Sequence, residues 1–235
     1  MIDAIILAGG FGTRLARHVP GVPKPLAPVG ERPFLDHQID WLAAQRIGRV
    51  VIAAHHMAEH IIAYTEARGA TGPALTVVRE ETPLGTGGAI KNALSALDGK
   101  STVLAINGDT AFDFELAPLL ARHRASGAEA TVAVARVADV ARFGTVTMQD
   151  ERVTGFVQAS GLAEAGLVNA GAYLLQPAVV LAHPDRTFSM EIDLLPGLAA
   201  TGRLHGYVLD SAAAFHDIGT PESYDAFVST PLSAR

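Results

Sequence analysis

Short apolar runs rich in Ala, Val and Ile alternate with stretches of helical periodicity along the first half of the chain. Ile2 to Ala8 reads as a buried strand that runs into Gly9-Gly10. Phe34 to Gln45 reads as a helix, with Leu35, Ile39 and Leu42 on one face. Arg49 to Ala54 is a second strand, Ala58 to Ala67 a helix, and Leu75 to Val78 a third strand. Gly87 to Leu97 is a helix, and Thr102 to Ile106 is a strand ending at Asn107-Gly108-Asp109. Buried strands spaced by amphipathic helices predict an α/β fold: a Rossmann-like, mostly parallel sheet flanked by helices on both faces.

The second half is less regular. Leu116 to Ser126 predicts a helix and Ala130 to Arg136 a strand. Thr145 to Met148 and Arg152 to Gln158 predict a hairpin turning near Asp150. Leu167 to Leu175 is a strand, Met190 to Ala200 a helix and Leu204 to Leu209 a strand. Pro221 to Val228 is a helix with Pro in its first turn. No repeat or linker interrupts residues 1–235, so one domain is expected, with 229–235 as a frayed tail.

Composition narrows the function. The chain has 235 residues, 49% hydrophobic and 18% charged, enough to bury a large core. A net charge of -6 argues against a nucleic-acid binder that relies on overall charge. With no Cys there is no thiol nucleophile and no Cys-ligated zinc. No apolar stretch approaches ~20 residues, so no membrane span is expected. The first residues lack the pattern of a secretory signal, which makes the cytoplasm the expected location. No second, acetyltransferase-type domain is expected. The oligomeric state stays open, a homodimer among the options.

The chemistry starts where the first strand ends, in Leu7-Ala8-Gly9-Gly10-Phe11-Gly12-Thr13-Arg14. A parallel strand running into a Gly-rich turn is where α/β folds bind phosphorylated ligands. Successive N–H groups there form an anion-binding concavity. Thr13 and Arg14 can add a hydroxyl and a guanidinium fork. Lys24 sits between Pro23 and Pro25, which stiffen the segment and fix its ammonium. The loop is neither G-x-G-x-x-G nor a P-loop.

These residues, followed by Pro23-Lys24-Pro25, resemble the signature of the sugar-1-phosphate nucleotidyltransferases. Pro83-Leu84-Gly85-Thr86-Gly87-Gly88-Ala89 resembles their second glycine-rich loop, and Asn107-Gly108-Asp109 their metal-binding strand end. Phe143-Gly144, Val168-Asn169-Ala170-Gly171 and Asp217-Ile218-Gly219-Thr220-Pro221 resemble their later motifs. The resemblance covers about residues 2 to 228 and implies the nucleotide-diphospho-sugar transferase (GT-A-like) fold. Within the family, Arg32-Pro33-Phe34-Leu35, the Pro83-to-Ala89 loop and Phe188-Ser189-Met190-Glu191 most resemble the D-glycero-D-manno-heptose 1-phosphate guanylyltransferases. MurNAc 1-phosphate uridylyltransferases are near neighbours. Glucose-1-phosphate thymidylyltransferases carry Lys-Gln where this chain has Lys24-Pro25.

The resemblance implies an enzyme that condenses a nucleoside triphosphate, GTP by the nearest likeness, with a sugar 1-phosphate and releases pyrophosphate. Arg14, Lys24 and Asp109 are the implied catalytic residues. Leu7, Ala8, Gly9, Gly10, Gly12, Thr13, Arg14, Glu80, Gly85, Thr86, Gly88 and Asn107 would hold the nucleotide. Lys24, Gly144, Gln158, Asn169 and Glu191 would meet the sugar phosphate. Mg2+ would sit on Asp109 and Asp217, since a hard cation prefers one or two carboxylates plus phosphate and water. Many relatives have Glu-Lys where this chain has Gln158-Ala159, leaving Arg142 and Arg152 as the nearest substitute cations.

Two rival readings stand beside this one. A nucleotide-binding protein with impaired catalysis is motivated by Gln158-Ala159. A zinc peptidase is motivated by His56-Met57-Ala58-Glu59-His60, which spells H-x-x-E-H. Two His at i and i+4 on one helix can share a zinc.

Overall fold

The structure is a computed structural model that describes residues 2–141, 143–157, 164–210 and 215–229. Its first half carries β1 (Asp3–Ala8), the short β2 (Pro28–Val29) and β3 (Arg32–Pro33), and α1 (Phe34–Ala44). Next come β4 (Arg49–Ala54), α2 (Ala58–Arg68), β5 (Ala74–Arg79) and α3 (Gly85–Ala93). β6 (Val103–Asn107), β7 (Thr110–Phe112), α4 (Leu116–Ser126) and β8 (Ala130–Val137) lead into the hairpin β9 (Thr145–Gln149) and β10 (Arg152–Val157). β11 (Gly166–Leu175), α5 (Pro177–Leu181), α6 (Leu195–Ala200), β12 (Leu204–Val208), β13 (Phe215–Asp217) and α7 (Pro221–Ser229) complete the order.

Among the described residues nine strands form one sheet in the order β5-β4-β1-β6-β11-β8-β12-β10-β9. β5, β4, β1 and β6 are mutually parallel, as are β8 and β12. Only β11 and β10 run against the rest. The expected mostly parallel α/β sheet is therefore present.

Strand alternation sends side chains to two cores. Ala4, Ile6 and Ala8 of β1 pack with Leu35, Ile39 and Leu42 of α1 and with Ile61 of α2. Ile5 faces the other way, with Ala89, Ile90 and Ala93 of α3 and Leu195 and Leu198 of α6. Each fully buried Leu or Ile contributes roughly 1.5–3 kcal/mol. A third cluster joins Leu15 and Phe34 to Ile218, Tyr224 and Phe227, so α7 closes against the base of the first loop.

Two differences from the sequence pattern have clear causes. The run Met190 to Ala200 is not one helix. Met190–Leu194 forms a π-turn and α6 begins at Leu195, because Pro196 has no N–H to continue the bonding ladder. The pattern also gives no sign of β7 and β13. These three-residue strands pair with each other outside the main sheet.

Candidate active site

β1 and β6 are adjacent and parallel, so their C-terminal ends deliver Gly9 and Asp109 to the same edge of the sheet. The turn after β6 can sit there only because residue 108 is glycine. A Cβ at Gly108 would lie 2.4 Å from the carbonyl oxygen of Leu7. Instead the Gly108 N–H donates to that oxygen at 2.9 Å. Gln38, buried on α1, clamps the turn from beneath. Its Nε2 donates to the carbonyls of Asn107 (2.8 Å) and Thr110 (2.7 Å). Sequence reading missed Gln38; a polar residue beside the apolar face of a helix was the available signal.

Lys24 begins a 3₁₀ turn, Lys24–Leu26, after Pro23 in extended conformation. Its stem packs near Gly12, whose φ is +60°. Its Nζ donates to Asp109 Oδ2 at 2.8 Å. Asp217 is brought close through the backbone. It lies opposite Thr110 in the β13–β7 pair, and the Ile218 N–H donates to the carbonyl of Asp109 at 2.9 Å. Asp217 Oδ1 accepts from the Gly219 N–H at 2.8 Å. The structure thus joins Asp109, Asp217 and Lys24 in one neighbourhood.

Between the two glycine-rich loops lies a cleft of about 360 Å³. Leu7, Ala8, Gly9 and Gly10 line it on one side, and Gly85 and Thr86 on the other. Asn107, Asp109 and Lys24 lie along it, with Glu80 and Glu191 also in its wall. Gly12, Thr13, Arg14, Gly88, Gly144, Asn169 and Asp217 are outside that lining. Thr13 and Arg14 are exposed on the loop. Gln158 and Arg142 lie outside the described residues. Arg152 starts β10 opposite Gln149 and His205 and is not part of the cleft wall.

The glycines of the second loop answer a packing demand. A Cβ on Gly85 would meet the Phe188 carbonyl at 2.5 Å, one on Gly87 the Phe188 ring at 2.2 Å, and one on Gly88 the Arg186 carbonyl at 2.4 Å. The close approach lets the Gly87 and Gly88 N–H groups donate to the Phe188 carbonyl at 3.0 and 3.1 Å.

The two glutamates of the cleft, Glu80 and Glu191, differ in surroundings. Glu80 is buried, and its Oε2 accepts from the Leu84 N–H at 3.1 Å. Its Oε1 has no partner among the described residues and lies where a Cβ on Gly9 would come within 3.1 Å. Burial pushes its carboxyl pKa up, against the opposing pull of the Leu84 N–H. Glu191 is held by three hydroxyls: Thr86 at 2.7 Å, Ser189 at 2.9 Å and Tyr173 at 3.0 Å. The fully buried Tyr173 hydroxyl in turn accepts from Asn169 Nδ2 at 2.8 Å. Burial, then the Glu191 charge, raises the Tyr173 pKa well above its ordinary value. Asn169 is thereby linked to the cleft through Tyr173 and Glu191.

The H-x-x-E-H run does not build a metal site. Met57 is left-handed (φ 55°) and α2 starts only at Ala58. His56 therefore lies outside the helix, its ring 5.5 Å from that of Phe11, while His60 is exposed beside Glu59. Among the described residues no group of three or more His, Asp or Glu side chains could hold a metal ion. No helix among them is long and apolar enough to cross a membrane.

A parallel sheet edge with two glycine-rich loops, a fixed lysine and paired acidic strand ends defines a nucleotide-handling α/β protein of the phosphoryl-chemistry type. The chain belongs to the nucleotidyl transferase family, whose model matches residues 3–230. It is 35% identical to the D-glycero-alpha-D-manno-heptose 1-phosphate guanylyltransferase of Aneurinibacillus thermoaerophilus, over 95% of each chain. It is also 35% identical to the mannose-1-phosphate guanylyltransferase of Mycobacterium tuberculosis, covering 95% of this chain but 62% of that protein's length. The structure of HddC from Yersinia pseudotuberculosis, complexed with GMP-PN, superimposes with a TM-score of 0.86 at 32% identity, covering 97% of this chain and 99% of that one.

Proposed function

We propose that this protein is a sugar-1-phosphate guanylyltransferase, acting in the cytoplasm with Mg2+ on GTP and a manno-configured sugar 1-phosphate. The observation that carries the class is the single cleft shared by Gly9, Gly10, Lys24 and Asp109. In the reaction an oxygen of the sugar phosphate attacks the α-phosphorus of GTP. The bond from the α-phosphorus to the bridging oxygen breaks, and pyrophosphate leaves with that electron pair. A phosphate monoester is mostly dianionic at neutral pH, with a second pKa of about 6, so no general base is needed. The barrier is anion repulsion, and the protein's task is to neutralise and align.

Each part has a role in this reading. The amides of Gly9, Gly10 and Gly12, with Thr13 and Arg14, hold the β- and γ-phosphates. Lys24 contacts phosphate at the reacting centre. Asp109 and Asp217 offer hard oxygen donors joined by one strand pair, a donor set suited to magnesium, which keeps phosphate and water among its ligands. Bound there, the metal supplies charge neutralisation at the α-phosphate.

The base preference rests on Glu80. Its Oε1 is buried with no partner among the described residues, an expensive arrangement for an acceptor. Guanine presents two adjacent donors, N1–H and the N2 amino group, to such a carboxylate. Uracil and thymine present a single N–H flanked by acceptors, which a carboxylate repels. Glu191, with oxygens fixed by three hydroxyls, faces the cleft where sugar hydroxyls would donate. Heptose and mannose 1-phosphates are the two sugars favoured, following the named relatives. Pyrophosphate release from GTP with each sugar phosphate tests the proposal. Activity with UTP or dTTP and not GTP would reject the guanine assignment.

A further inference from the structure

The ammonium of Lys24 lies where a cation bound to Asp109 Oδ2 would lie. Nζ is 2.8 Å from Asp109 Oδ2, a charge-assisted contact. The pair is sheltered, with the side chains of Lys24 and Asp109 only 13% and 29% exposed. Solvent therefore screens it less than a surface pair. The lysine is also fixed at its root. Pro23 and Pro25 bracket it, its backbone is in a 3₁₀ turn, and its stem packs near Gly12. Among the described residues the other oxygen, Oδ1, has only a 3.4 Å contact from the Thr110 hydroxyl.

Two cations cannot occupy the same side of one carboxylate oxygen. A divalent ion approaching Oδ2 would meet a positive charge already at hydrogen-bond distance, and displacing it needs an anion to receive the ammonium. We infer that Lys24 is a placeholder that keeps metal off Asp109 until nucleotide phosphates draw its ammonium away. This rests on reading Asp109 as a metal ligand. Before nucleotide arrives, Lys24 neutralises Asp109. When phosphates enter, Lys24 transfers its charge to them and leaves the carboxylate bare for the cation. The protein thus binds metal poorly alone and well only when phosphate accompanies it.

The test is direct titration of the full-length protein with Mn2+, free ion being followed by its electron paramagnetic resonance signal, without nucleotide or sugar. Lys24→Met is expected to bind Mn2+ at least tenfold more tightly than wild type. Lys24→Arg, which keeps the charge, should stay within about threefold of wild type. Adding Asp109→Asn to Lys24→Met should abolish the gain and so place it on Asp109. Thermal melts confirm that the variants are folded, and Lys24→Gln serves if Lys24→Met is not. Tight Asp109-dependent binding in wild type, equal to that of Lys24→Met, overturns the placeholder and leaves Asp109 a metal ligand. No Mn2+ binding by folded Lys24→Met or Lys24→Gln overturns both.

Discussion

Replacing Glu80 with Gln removes one charge and almost no volume, so its effect isolates the carboxylate. In the wild type, Oε2 takes the Leu84 N–H and Oε1 has no partner among the described residues. The amide oxygen of the substituted side chain can take over the Leu84 contact. Its amino group would then face the guanine donors, and a charge-assisted acceptor becomes a donor. Such bonds contribute about 1.5–3 kcal/mol, which corresponds to a loss of roughly 10- to 150-fold in kcat/KM for GTP. Inosine triphosphate lacks the N2 amino group and should lose less. The apo protein should respond in the opposite direction. Burial raises the Glu80 pKa in the fold. A raised value adds stability below the unfolded carboxyl pKa of ~4.3, and that stability is lost as pH rises through the folded value. At neutral pH the buried anion is a cost, so Glu80→Gln should raise Tm while weakening GTP. Steady-state kinetics with GTP, inosine triphosphate and UTP, together with melts at neutral pH, check both halves. A variant with unchanged GTP kinetics would refute the assignment of Glu80 to the base.

Further outcomes follow from the same geometry. Asp109→Asn should remove most turnover at an unchanged circular dichroism spectrum; near-normal pyrophosphate release in that variant contradicts its metal role. Gly108→Ala places a Cβ 2.4 Å from the Leu7 carbonyl, and urea unfolding should show a loss of at least about 2 kcal/mol, beyond ordinary surface effects. Gln38→Leu leaves the Asn107 and Thr110 carbonyls without its amide; a loss of roughly 1–3 kcal/mol per orphaned group is the upper range, with a larger fall in kcat than in Tm-matched controls. Burial lowers the pKa of His123, whose Nε2 faces the Gln176 amide at 3.3 Å. Its contribution to stability is present above the unfolded His value of ~6.5 and lost as pH falls below it. Urea midpoints at pH 7.5 and 5.5 should therefore separate more in wild type than in His123→Gln.

Much of this was legible in sequence because strand and helix periods are local. The runs at β1 and β4 are continuous apolar stretches and α4 carries its own helical period, whereas β5 is the half-exposed edge strand. The cleft-lining residues Gly9, Lys24, Asp109 and Glu191 were also named by motif. What the chain did not reveal is set by distant contacts. β7 and β13 are three residues each and exist only as partners, so no periodicity marks them, although their pairing is what ties Asp217 to Asp109. The π-turn at Met190–Leu194 looks helical until Pro196 is considered. The glycines of the second loop read as a ligand cradle, yet their close neighbours are Phe188 and Arg186. Arg152 was the nearest cation in sequence and lies away from the cleft. The H-x-x-E-H run failed because a left-handed Met57 delays the helix, which composition does not foretell.

Nucleotidyl transfer of this kind depends on a cleft that lets one phosphate attack another. Its most direct test is pyrophosphate release by purified protein with Mg2+, using GTP, ATP, UTP and dTTP against heptose, mannose, glucose and MurNAc 1-phosphates. The proposed function predicts release with GTP and a manno-configured sugar phosphate above every other pair. Tight GTP binding with no pyrophosphate from any pair would contradict it.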